Sequence, residues 1–152
     1  MEPPDSLLSD YFLSEHELHQ LMEHLVDDTA NSGTLLGFTD EVRFVPDEPL
    51  IQQGVVGDHS IYILTEGVLD VVLETDGQKT KVASIEPYAV FGEQSFIDGG
   101  PRSATVIART EGLAHRLTDS GFEQVRSVHP EVACAFLIDI ARGQAQRLRQ
   151  RG

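Results

Sequence analysis

The chain predicts an α+β fold, a run of short strands packed as a sandwich or jelly roll with helices at both ends. Three observations carry that expectation. Apolar residues recur at helical spacing near both termini. Between them, from about residue 41 to residue 117, short β-branched runs alternate with Gly, Pro and Asp. The whole chain is 152 residues and 40% hydrophobic, which suits one domain built on one core.

Residues 7–26 carry Leu7, Leu8, Phe12, Leu18, Leu21, Met22 and Leu25 at helical spacing, and Ser14 followed by Glu17 is a capping-box pattern. Residues 27–37 are polar, with Asn31, Ser32 and Gly33, and read as a loop or helix end. Strands are expected over 42–45, 50–52, 61–65, 68–74, 80–85, 89–91, 103–108 and 112–117. Asp76-Gly77, between two of these runs, is a tight-hairpin signal. After Asp119 the helical period returns with Phe122 and Val125, and Pro130 opens a second helix running to about residue 149. Val132, Phe136, Leu137 and Ile140 are expected on its apolar side. Arg142, Arg147, Arg149 and Arg151 gather at its end, where cations complement the negative pole of the helix dipole. The organisation is therefore a helical segment over 1–40, a strand region over 41–118 and C-terminal helices over 119–152, together one domain. No helix pair follows within these residues, so a DNA-reading helix-turn-helix is missing.

Composition narrows the function. The formal net charge is −14. It is uneven: residues 1–78 hold 17 acids and one arginine, whereas residues 79–152 hold 8 acids and 10 bases. Such acidity argues against nucleic acid as a partner, because phosphate contacts dominate that affinity. Salt screens the field beyond roughly 8 Å, so one local arginine can still bind a small anion. No run of about 18 apolar residues is present, which excludes a membrane-spanning helix. Residues 1–10 are acidic and lack the basic and apolar regions of a signal peptide. A lone Cys134 excludes an internal disulfide and fits a reducing, cytoplasmic setting. Its apolar neighbours Val132, Ala133, Ala135 and Phe136 place it in the core.

The most informative stretch is residues 91–106, Phe-Gly-Glu-Gln-Ser-Phe-Ile-Asp-Gly-Gly-Pro-Arg-Ser-Ala-Thr-Val. It sets a carboxylate, Glu93, and a guanidinium, Arg102, at opposite ends of a glycine-punctuated segment. An acid that accepts from hydroxyls and an arginine that grips an oxyanion suit a small ligand carrying a sugar and a phosphate. Backbone N–H groups of a Gly-containing turn at a helix start add an anion cradle. Pro101 fixes φ and aims the chain into Arg102.

This stretch resembles the phosphate-binding cassette of the cyclic nucleotide-binding domain family. Phe91, Gly92, Glu93, the turn 97–100, Pro101, Arg102, Ser103, Ala104 and Thr105 match its pattern in order. Upstream, Gly54, Gly57-Asp58, Tyr62, Ile63, Gly67 and Val71 match a second family pattern. The similarity covers about residues 7–149. Gln94 stands where an apolar residue is usual, and Ser95 where Ala or Gly is usual. The resemblance implies an eight-stranded antiparallel β jelly-roll barrel flanked by an N-terminal helix and C-terminal helices. It implies a ligand-binding set of Gly92, Glu93, Gln94, Ser95, Arg102, Ser103 and Ala104. Glu93 would accept from the ribose 2′-hydroxyl, Arg102 would pair with an exocyclic phosphate oxygen, and amides of Gly92, Ser95 and Ser103 would line the sugar-phosphate. Phe96 would sense ligand and press on the C-terminal helices. The ligand implied is cAMP, with cGMP as the alternative, because Ser103 is compatible with either base. Signalling by repacking of the C-terminal helices, with no catalysis, is implied as well. The module could stand alone, form a homodimer, or serve a larger bacterial transporter or enzyme.

The rival readings are specific. Glu93 and Arg102 could simply pair in an empty barrel, as a nucleotide-free scaffold. His59, His115 and His129 sit in separate elements, and His16, His19 and His24 on the first helix read as surface residues, so no metal site is expected. Gly54, Gly57 and Gly67 read as turn residues and Asp58 as a turn cap. No nucleophile elbow, Walker loop or paired catalytic acids are present.

Overall fold

A computed structural model describes residues 29–151. The expected helix over 7–26, its Ser14 cap and His16, His19 and His24 lie outside the described residues. Helix α1 is Thr29–Leu36, and the strands follow as β1 (Asp40–Phe44), β2 (Pro49–Ile51), β3 (Ile61–Glu66), β4 (Leu69–Thr75), β5 (Gln78–Ile85) and β6 (Val90–Phe91). A short helix α2 (Glu93–Asp98) precedes β7 (Thr105–Ala108) and β8 (Gly112–Leu117), and helices α3 (Asp119–Val128) and α4 (Pro130–Arg151) complete the order. All eight expected strands are present. Polar residues 29–36, expected as a loop or helix end, form α1, anchored by fully buried Leu35.

The strands pair antiparallel in two four-stranded sheets, β1-β8-β3-β6 and β2-β7-β4-β5. They do not close into the expected barrel. Strand β4 shows why the sequence forms a sandwich: Leu69, Val71 and Leu73 alternate inward while Asp70 and Val72 face out. Ile61, Leu64, Leu117 and Ala114 of the other sheet meet that inner face, with Phe44, Val90 and Val106 filling the layer between. The Asp76-Gly77 hairpin forms as expected. Both residues have positive φ (53° and 78°), and Thr75 pairs with Gln78 across a two-residue turn of the type whose twist matches the strands.

The C-terminal helices close one side of the core. Thr118 caps α3, its Oγ1 accepting from the Gly121 amide at 3.0 Å. Pro130 begins α4 in the first turn as expected. Val132, Ala133, Phe136 and Ile140 form its buried face. Leu137 falls outside that face and is exposed, because it lies one residue, about 100°, past Phe136 on the helix. Cys134 is likewise exposed, a correction to the core placement: apolar sequence neighbours on a helix point in different directions. Among the described residues no helix is long and apolar enough to cross a membrane.

Candidate functional site

The site is built where β6 ends. Gly92 follows Phe91 with φ 80° and caps α2 without a side chain. A Cβ there would lie 3.0 Å from Arg102 Nη1, 3.0 Å from the Ser60 carbonyl and 3.3 Å from Ile51 Cδ1, so both conformation and space favour glycine. Glu93 opens α2 and is 3% exposed, placing a buried carboxylate at the helix start. Ser95 is buried too, its Oγ donating to the Pro101 carbonyl at 3.2 Å. The helix ends at Gly99 (φ 71°), whose amide donates to the Ser95 carbonyl at 2.9 Å. Asp98 Oδ1 accepts from the Gly100 amide at 2.8 Å, completing the turn into Pro101.

Arg102 is also 3% exposed, and the loop between β2 and β3 holds it from two directions. Its backbone pairs with that loop: Gly54 N–H donates to the Arg102 carbonyl at 2.8 Å, and Arg102 N–H donates to the Val55 carbonyl at 2.9 Å. Its guanidinium is gripped farther on. Nε donates to Asp58 Oδ2 at 3.2 Å, Nη2 lies 3.1 Å from Asp58 Oδ1, Nη2 donates to the Ser60 carbonyl at 2.6 Å and Nη1 donates to the Gly92 carbonyl at 3.1 Å. The side-on, two-point contact with Asp58 is the strong form of an arginine–carboxylate pair. Asp58 Oδ1 also accepts from the Ser60 amide at 3.3 Å, so the expected turn cap is real and is combined with a charge pair.

That pair is the feature of the candidate site that the sequence reasoning missed. A buried guanidinium needs a counter-charge, and Asp58 is the acid that follows Gly57 in the upstream motif. A carboxylate that meets Arg102 is therefore 44 residues away in sequence. Tyr62 belongs to the same neighbourhood. Its ring stacks on Phe91 at 5.0 Å, and burial, reinforced by the negative charge of Asp58, raises its hydroxyl pKa against the opposing pull of Arg116 and Arg102.

The remaining expected residues divide. Ser103 is half-buried beside Arg102. The Ala104 methyl is part of the hydrophobic core, so a ligand contact from that position can come only from its backbone. Gln94 is half-buried, and its Oε1 is buried without a hydrogen bond among the described residues. Phe96 extends the site to the helices. Its ring meets Phe122 of α3 edge-on at 5.2 Å and Phe136 of α4 at 6.3 Å, and those two lie 6.5 Å apart. No group of three or more His, Cys, Asp or Glu able to hold a metal is found among the described residues. His59 faces Asp119 at 3.4 Å and His115 Nδ1 lies 3.1 Å from Thr39 Oγ1, both local structural contacts.

The geometry has clear relatives. The structure of the N-terminal domain of a transcriptional regulator from Streptomyces coelicolor A3(2) is 33% identical and superposes with a TM-score of 0.68, over 81% of this chain and 85% of that one. A cyclic nucleotide-binding domain from Methylobacillus flagellatus shares the fold, with a TM-score of 0.73 over 91% of this chain and 83% of that one at 20% identity. The cAMP-dependent protein kinase regulatory subunit of Dictyostelium discoideum is 39% identical over 86 residues, 56% of this chain and 26% of that protein. The corresponding subunit of Mucor circinelloides f. lusitanicus is 33% identical over 103 residues, 65% of this chain and 22% of that protein. The chain thus spans about a quarter of the length of these curated relatives. The family model for the cyclic nucleotide-binding domain matches residues 41–129, from β1 through α3. This chain belongs to the cyclic nucleotide-binding domain family.

Proposed function

We propose that the chain is a receptor module for cAMP, reading the ligand through the segment from Gly92 to Ala104. One observation carries this reading. The Arg102 guanidinium donates to the carbonyl of Gly92, the residue before Glu93, so a buried cation lies against the backbone that leads into a buried acid, and Gly92 adds no side chain of its own. A ribose cyclic phosphate presents a hydroxyl acceptor demand and an anionic oxygen within a few ångströms of each other, and this pairing answers both. Glu93 takes the 2′-hydroxyl, Arg102 the exocyclic oxygen, and the amides of Gly92, Ser95 and Ser103 the rest of the sugar-phosphate, with Gln94 and Ala104 flanking them. The kinase regulatory subunits it resembles carry cAMP dependence in their names, which favours adenine over guanine.

The output is mechanical rather than catalytic. Ligand that orders α2 shifts Phe96, and its two ring partners pass the change to α3 and α4. The work of this module would then be delivered to a host protein or a second copy.

Thermal melts with cAMP, cGMP and AMP test the reading. Ligand at a hundred times Kd adds about 2.7 kcal/mol of stability. cAMP is expected to raise the melting temperature most and AMP not at all, with calorimetry giving the Kd. A melting curve unmoved by either cyclic nucleotide rejects the proposal in favour of a nucleotide-free scaffold.

A further inference from the structure

Strand β7 joins its sheet late. The chain carries Arg102 into the interior first, and pairing with β4 begins only at Thr105, opposite Val72. Glu74, two residues beyond Val72 on β4, is thereby left without a β7 backbone partner on that side. Gln53 takes the place of the missing strand residue. Its Nε2 donates to the Glu74 carbonyl at 2.9 Å and its Oε1 accepts from the Glu74 amide at 2.8 Å. A primary carboxamide carries the same donor and acceptor pair as a peptide group, so the side chain continues the ladder by one rung. The Gln53 amide meanwhile donates to Thr105 Oγ1 at 3.0 Å, tying the same residue to the first residue of β7.

The position of Gln53 gives this rung a consequence. The next two residues, Gly54 and Val55, make both backbone bonds to Arg102, and the loop then runs on to Asp58 and Ser60, which hold the guanidinium. We infer that Gln53 is a positioning residue for Arg102: it pins the start of the gripping loop to β4 and so sets where the guanidinium points. This inference rests on the proposed role of Arg102 toward the ligand phosphate. It assigns to Gln53 no contact with ligand.

The geometry makes the carboxamide hard to replace. Gln53→Asn shortens the reach by one methylene, and Gln53→Glu sets a carboxylate against the Glu74 carbonyl. Gln53→Met keeps the length of the side chain and removes both bonds, so it is the variant to test. Asp70→Asn, on the outer face of β4 and away from the loop, is the control for a general loss of stability. The readouts are cAMP affinity by calorimetry, amide hydrogen exchange at Gly54 and Arg102, and the NMR signal of the Arg102 Nε–H. For Gln53→Met the expected result is an affinity loss of about three- to tenfold, faster exchange at both amides, and a shifted Nε–H resonance. Asp70→Asn is expected to leave all three unchanged. Wild-type exchange and an unshifted Nε–H in Gln53→Met overturn the inference, whatever the melting temperature does. So does an equal change in both variants. If the wild-type protein binds no cyclic nucleotide, the receptor reading fails, and the exchange and Nε–H measurements still decide the role of Gln53.

Discussion

Two arginines seven residues apart meet aspartates in opposite ways. Arg109, just past the end of β7, lies on the outer surface of its sheet. It donates from Nε and Nη2 to Asp70 Oδ1 at 3.0 and 2.6 Å and from Nη2 to Ser84 at 2.7 Å, and its side chain is 44% exposed. Lys81 joins the same Asp70 at 3.3 Å from the neighbouring strand. Arg102, before β7 begins, meets Asp58 at similar distances but is 3% exposed and lined by the Ser60 and Gly92 carbonyls. The outer pair is bathed in water and adds little beyond register between strands. The inner one is a charge held in place by a loop that folds around it. Pairing alone does not mark a binding residue. The proposed role of Arg102 rests instead on a guanidinium taken out of water beside a tightly packed glycine.

Substitutions on each side should separate the two arginines. Arg102→Ala is expected to have the largest effect, about 2–5 kcal/mol of cAMP affinity, a factor of tens to thousands, measured by calorimetry. Unchanged affinity in that variant would falsify the proposed role. Glu93→Ala should weaken binding less, by about the 1.5–3 kcal/mol of a hydrogen bond to a charged group. Asp58→Asn should destabilise the free protein by roughly 1 kcal/mol in denaturant titration, discounted because Asp58 is 36% exposed. The same variant should lower the Tyr62 pKa toward the ordinary phenol value, read by ultraviolet absorbance at high pH, since the Asp58 charge helps raise it. A Tyr62 titration indifferent to Asp58 would show that burial alone sets it.

The outer pair should respond weakly and to pH. Burial alone would raise the Asp70 pKa, but hydrogen bonds and charge from Arg109 and Lys81 outweigh it and hold the carboxyl below its ordinary value. A depressed carboxyl stabilises the fold above its unfolded-state pKa and loses that contribution as pH falls through its folded-state pKa. Asp70→Asn should therefore cost a few tenths of a kcal/mol at pH 7, shrink with added salt, and cost nothing in acid well below about pH 4. A pH-independent difference between the two proteins would mean that packing, not charge, ties these strands.

Much of this was legible in the residues. Strand alternation, the Asp76-Gly77 turn and the Pro130 helix start are local signals, and each appears where the pattern put it. The approach of Arg102 to Gly92, beside Glu93, was legible only through the resemblance, because nothing in their spacing says that the chain folds back there. The partner of Arg102 was not legible at all as a pair. Asp58 showed as a turn residue, and its second role depends on a contact made across the sheets. Cys134 and Leu137 were misplaced because apolar composition reveals a helix but not which of its faces another element will cover. Polar residues 29–36 adopt helix through the burial of Leu35, a tertiary effect that weak local propensity does not announce.

What the sequence by itself determined is the set of elements and the chemistry available to the cassette, since periodicity, turn residues and side-chain type are properties of neighbours along the chain. The tertiary structure decided two sheets rather than a closed barrel, the Asp58 counter-charge and the Gln53 rung. Those depend on where strand β7 joins its ladder and which distant groups must then supply the missing partners, and hydrogen-bond satisfaction of that kind is settled only once the chain is folded.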